Sequence, residues 1–96
     1  MTGRTIGGTY STLVSLIAAD DPTTLSATAV LNAGIYGASA PGLSARTIVN
    51  AGTILSSTTA ALEVQGVAAY VTNSGTIAGT TVAVRLATGR TNRLIV

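Results

Sequence analysis

Few side chains in this 96-residue chain could move a proton or hold a metal: the acids are Asp20, Asp21 and Glu63, the aromatics Tyr10, Tyr36 and Tyr70, and the bases five arginines. Histidine and cysteine are absent, so zinc ligation and nucleophile–base triads of the usual kinds have no residues to draw on. General acid–base catalysis needs positioned titratable groups. Asp20-Asp21-Pro22 offers two carboxylates to a hard cation, but Asp ahead of a proline is also turn chemistry, and we read a turn. Glu63 and Arg85 fall at matching places in two copies of a repeat. As cross-strand neighbours they read as an exposed ion pair worth under ~1 kcal/mol, not a catalytic dyad. Gly7-Gly8 is the one glycine pair and no aspartate follows it, which excludes the nonapeptide calcium solenoid. Gly3 to Gly8 lacks the lysine and spacing of a phosphate loop and reads as a flexible leader. Arg85, Arg90 and Arg93 gather near the C-terminus, either as a site for an anionic surface or glycan or as solvated charges that keep an edge from pairing; we take the second. The tyrosines are too dispersed for a base-stacking platform, and Tyr70 is expected to cover a rung edge. No catalytic, cofactor-binding or metal residue is nominated, and the chain is not expected to be an enzyme.

Composition narrows the class further. Seventeen Thr, sixteen Ala, eleven Gly and eight Ser fill half the chain, and charged residues make up only 8% against about 25% in ordinary globular proteins. With 47% hydrophobic residues and a mean hydropathy of +0.56, the chain should fold or aggregate, not stay disordered through charge. The pI near 9.7 reflects scarce charges, five arginines against three acids, not a basic face, so nucleic acid is not an expected partner. The apolar stretch from Leu13 to Ala19 is far short of the roughly 20 residues of a membrane helix. Met1 to Tyr10 offers one arginine and no apolar run of the secretory pattern.

The elements that would position any site come from a repeat. Three of the four asparagines open a similar phrase, Asn32-Ala33-Gly34, Asn50-Ala51-Gly52 and Asn73-Ser74-Gly75, and the last two sit in long copies, residues 47–54 and 70–77. Self-similarity at this period marks a stack of units, none of which buries its apolar face until a neighbour covers it. Alternation of period two then lays out the rungs. Ile48 and Ile54 flank one corner, with Leu62 and Val64 beyond; Val71 and Ile77 flank the next, with Val82, Val84 and Leu86 beyond. These nine are the expected stacked core. Each rung has three short strands, with a corner at Asn-x-Gly, a turn at 56–58 or 79–80 and another at 65–66 or 88–89. Asn and Gly suit corners that need a left-handed backbone, and Asn50, Gly52, Asn73 and Gly75 are expected to form a structural turn ladder of amides spaced about 4.8 Å apart. Ala33 to Gly37 is expected to be the third strand of a shortened rung, and 38–42 a loop. The expected fold is all-β, a parallel β-helix of about three to four rungs in one domain, 1–96, with 1–27 as an N-terminal cap or first rung and 28–96 as rungs.

The phrases Thr47-Ile48-Val49-Asn50-Ala51-Gly52-Thr53-Ile54, Val71-Thr72-Asn73-Ser74-Gly75-Thr76-Ile77-Ala78-Gly79 and Asn92-Arg93-Leu94-Ile95-Val96 resemble bacterial autotransporter and filamentous-haemagglutinin-type passenger repeats. The resemblance covers residues 28–96. It implies a right-handed parallel β-helix, exported and extracellular or outer-membrane-associated, serving as a stalk or adhesin. Passengers of that kind are far longer, so the chain is expected to be a fragment whose C-terminal edge meets further rungs or another copy. A regular-surface binder of the ice type is an alternative expectation; it needs Thr at one outward position in every rung, and only Thr53 and Thr76 align. A transmembrane barrel or a piece of a carbohydrate-active β-helix ranks lower, for want of aromatic girdles and acid groups respectively.

Overall fold

Runs of Thr, Val and Ile broken every few residues by Gly, Ser or Asn make short strands, and those described do not pair with their sequence neighbours. They pair instead with the equivalent run one turn of chain later. A computed structural model describes residues 3–17, 20–37, 45–57, 60–86 and 92–96, and among these there is no α-helix.

Three parallel sheets carry the chain. The first holds β1 (Arg4–Ile6), β4 (Thr23–Leu25), β7 (Ala45–Asn50), β10 (Ala68–Asn73) and β13 (Arg93–Ile95). The second holds β2 (Thr9–Tyr10), β5 (Val30–Leu31), β8 (Thr53–Ser56) and β11 (Thr76–Gly79). The third holds β3 (Val14–Leu16), β6 (Ile35–Gly37), β9 (Leu62–Val64) and β12 (Val84–Leu86). The backbone visits the sheets in the same order each time, so each rung pairs only with the one below and the one above. This is a parallel β-solenoid with three strands per rung, as the repeat predicted.

Register decides which side chains meet. Ile48 lies against Val71, Ile54 against Ile77, Leu62 against Val84 and Val64 against Leu86, all pointing into the space between the sheets. Ile48, Ile54, Leu62, Val64 and Val71 are buried, whereas Ile77, Val84 and Leu86 are only partly covered because they belong to the uppermost complete rung. Val82 precedes β12, also half-buried, and its carbonyl accepts the backbone N–H of Ala61. Below them Ile6, Val14, Leu16, Leu25, Leu31 and Ile35 complete the column. Each fully covered aliphatic side chain contributes about 1.5–3 kcal/mol. The column is the main source of stability in a chain with so few charged residues.

Upstream, the first-rung alternative for 1–27 is the one the strands form: β1, β2 and β3 pair with β4, β5 and β6, and Gly7-Gly8 is a corner of the stack, not a flexible leader. Asn32 is exposed at the end of β5, a different corner from Asn50 and Asn73. The residue in register with Asn50 is Leu25, followed by a longer corner, Ser26 to Ala29, closed by Ala29 N–H donating to the Ser26 carbonyl at 3.0 Å. Asn32-Ala33-Gly34 is therefore not a lower copy of the Asn50 and Asn73 corners. β6 does form the third strand of its rung; the loop expected at 38–42 and the turn at 88–89 lie outside the described residues, as does Thr58 of the turn at 56–58.

Candidate functional site

At the corner between the first and second sheets the chain must turn within two residues. Asn50 ends β7 with its side chain inward and fully buried. Its Oδ1 accepts the Gly52 N–H at 3.0 Å, while Nδ2 donates to the Gly52 carbonyl at 3.2 Å, to Asn73 Oδ1 at 2.8 Å and to the Thr76 carbonyl at 3.3 Å. Asn73 repeats the local pattern with Gly75, at 3.2 and 3.3 Å. One amide thus closes its own turn and reaches the turn above. The glycines act by a different route from the one expected: Gly52 and Gly75 do not take positive φ. They are needed for close approach, since a Cβ on Gly75 would lie 2.0 Å from the Gly52 carbonyl oxygen, and one on Gly52 would lie 2.5 Å from those of Ala29 and Ser26. Positive φ appears instead at Gly3, Gly8, Gly34 and Gly66.

Asp20 and Asp21 are engaged by the fold. Asp20 Oδ2 accepts the Ile17 N–H at 2.9 Å and stands 3.7 Å from Arg4, and its carbonyl accepts the buried Thr23 hydroxyl at 2.7 Å. Asp21 Oδ1 accepts the Thr47 N–H at 2.6 Å, tying this turn to β7. No group of acids close enough to hold a metal occurs among the described residues. Glu63 and Arg85 are register neighbours, yet the expected ion pair does not form; Glu63 accepts from Gln65 Nε2 at 2.8 Å instead. Arg85 and Arg93 lie on different sheets, so they do not cluster, and Arg90 lies outside the described residues.

The sequence reading overlooked Arg46. It is 1% exposed, and its guanidinium crosses Gly37 to donate to the carbonyls of Leu16 and Ile17 at 3.1 and 3.0 Å. Alternation carried the signal, because Arg46 shares the inward parity of Ile48 and Asn50.

The outer face of the first sheet is the other organised surface. Thr5, Thr24, Val49, Thr72 and Ile95 stand in one exposed column, and half-buried Thr47 with exposed Tyr70 and Arg93 in a second. A groove of about 720 Å³ lies here, lined by Thr47, Tyr70, Thr72, Asn92, Arg93 and Ile95. On the second sheet Thr9, Val30, Thr53 and Thr76 align in the same way. A smaller groove beside them, about 430 Å³, is lined by short polar and apolar groups such as Ser57 and Thr80 and carries no charge or ring.

Sheets, corners and grooves together define a parallel β-solenoid repeat protein. Comparison with protein-family models, with curated proteins and with solved structures finds no match.

Proposed function

We propose that this chain is a structural β-helix segment of a bacterial surface or secreted protein, which displays its outer faces for adhesion and performs no catalysis. The observation that carries the reading is the register itself: equivalent residues such as Asn50 and Asn73 lie one above the other, so the molecule extends by adding rungs, the geometry of a stalk. The three acids hold backbone or side-chain partners, which suits a scaffold. The uppermost edge is read as meeting a further rung, of a longer chain or of a second copy, since β11 and β12 have a strand on one side only. The resemblance to passenger repeats supports an extracellular place. Protease treatment of intact cells producing a tagged form tests it: loss of the tag's signal without lysis is expected, and protection until lysis overturns the location.

The aligned β-branched columns favour one second reading, a binder of regular surfaces, because Thr5, Thr24 and Thr72 share a face with Val49 and Ile95. Thermal hysteresis in concentrated solution is its measure, and freezing at the equilibrium point dismisses it.

A further inference from the structure

The groove over Tyr70 has features that a scaffold alone does not require. Tyr70 is one of only three aromatic residues, and it stands 43% exposed on the flat face of the first sheet. Thr47 lies directly below it and Arg93 directly above, in neighbouring strands about 4.8 Å apart. The groove's volume falls within the roughly 300–1,000 Å³ typical of small-ligand sites. Its lining is divided: a ring and Ile95 give an apolar bed, while the Thr47 and Thr72 hydroxyls and the Arg93 fork give polar edges beside Asn92, whose Oδ1 accepts the Ala69 N–H at 2.9 Å. A pyranose ring has the matching division, with C–H groups on its faces and hydroxyls around its rim.

Charge selects the kind of sugar. Arg93 is exposed, and among the described residues no carboxylate lies within ion-pair distance of it. Asp20 serves Ile17 and Arg4, Asp21 serves Thr47, and Glu63 serves Gln65. The Arg93 guanidinium thus faces solvent with no ion-pair partner among the described residues, and a planar guanidinium takes a ligand's carboxylate in a two-point grip. Nucleic acid fits poorly. Tyr10 and Tyr36 lie on the second and third sheets, so successive bases have no row of rings.

We propose that this groove binds an acidic sugar, a hexuronate unit of an anionic polysaccharide, with its ring on Tyr70 and its carboxylate on Arg93. The inference deepens the adhesive half of the proposed function and does not depend on where the protein resides. A hyaluronan hexasaccharide is the probe and its carboxyl-reduced form the control, titrated against the full chain while amide and tyrosine resonances are followed. The expected result is saturable shifts centred on Tyr70 and Arg93, with at least tenfold weaker binding of the reduced sugar. Arg93→Gln and Tyr70→Ala should each weaken binding at least tenfold with an unchanged far-UV circular dichroism spectrum, and Tyr36→Ala should bind as the parent does. Equal affinity for the reduced sugar, wild-type binding by Arg93→Gln, absence of shifts, or equally effective displacement by inorganic phosphate at the same concentration overturns the assignment. A lost β spectrum in the parent chain would instead sink the scaffold reading, so the two failures are distinguishable.

Discussion

Asn50 and Asn73 occupy the same corner, but burial gives them unequal weight. Asn50 is fully enclosed and satisfies both backbone groups of Gly52 as well as Asn73 Oδ1, whereas Asn73 is half-exposed and water can replace what it offers Gly75. Orphaning a buried polar group costs about 1–3 kcal/mol, and a typical exposed hydrogen bond nets only about 0.5–1.5. Asn50→Ala should therefore lower unfolding free energy in urea by about 2–4 kcal/mol, and Asn73→Ala by about 1 or less. Equal losses would mean that the ladder acts through something other than buried hydrogen bonds. Arg46 makes a second case. A Cβ on Gly37 would sit 2.5 Å from Arg46 Cδ, and that stem is held by its bonds to Leu16 and Ile17. Gly37→Ala should cost about 1–3 kcal/mol in the parent and much less on an Arg46→Ala background, a non-additivity that a double-mutant cycle reads directly. Additive effects would deny the contact. The asparagine ladder was legible in the sequence because its phrase recurs intact. Arg46 was not, because a lone arginine on a strand is first taken for a solvated charge, and only its parity with Ile48 points inward.

Strands in this chain are interchangeable, and corners are where the rungs differ. From Thr47 to Leu86 the sequence predicts the strands well, since two consecutive rungs keep the same short corner after Asn50 and Asn73 and alternation fixes their faces. Upstream the reading slips because the corner under Asn50 is built from Ser26 to Ala29 with Leu25 at its edge, and no Asn-x-Gly phrase marks it. A Ser26 Oγ to Thr28 Oγ1 contact at 3.0 Å helps to hold that longer turn, a feature that composition alone cannot place. The Tyr70 groove was hidden for a related reason. Its lining comes from β7, β10, β13 and Asn92 just ahead of β13, which only register brings side by side, so linear spacing does not reveal it. Corner tightness leads to a prediction at this scale. The Gly75 position touches the backbone of the rung below, so Gly75→Ala must push the two corners apart. The expected outcome is loss of hydrogen-exchange protection in β11 before β7 or β8, with about 1–3 kcal/mol of destabilisation. Unchanged protection at Thr76, whose N–H bonds the Gly52 carbonyl at 2.9 Å, would show that the corner tolerates the extra carbon.

The two ends of the stack are not alike. In the lowest rung the inward residues Ile6, Val14 and Leu16 are buried, and Tyr10 packs partly against the same column. In the uppermost positions Ile77, Val84 and Leu86 are half-covered, Leu94 and Ile95 are each 44% exposed, and Val96 is 89% exposed. Apolar surface beside unpaired strand edges is a template for another strand, and a charge placed there is the usual block. Leu94 ends the inward column that runs through Ile48 and Val71, so it marks the upper edge. If that edge recruits a second copy, sedimentation velocity of the chain should show association that grows with concentration. Leu94→Lys should suppress it, while Leu13→Lys, a somewhat more exposed apolar position in the lowest rung, should leave it intact. The pairing is driven by backbone hydrogen bonds and apolar burial, so added salt should not dissolve it as it would a charge contact. Suppression by Leu13→Lys instead would place the association at the opposite end, and a parent chain that stays monomeric throughout would dismiss a second copy as the partner of this edge.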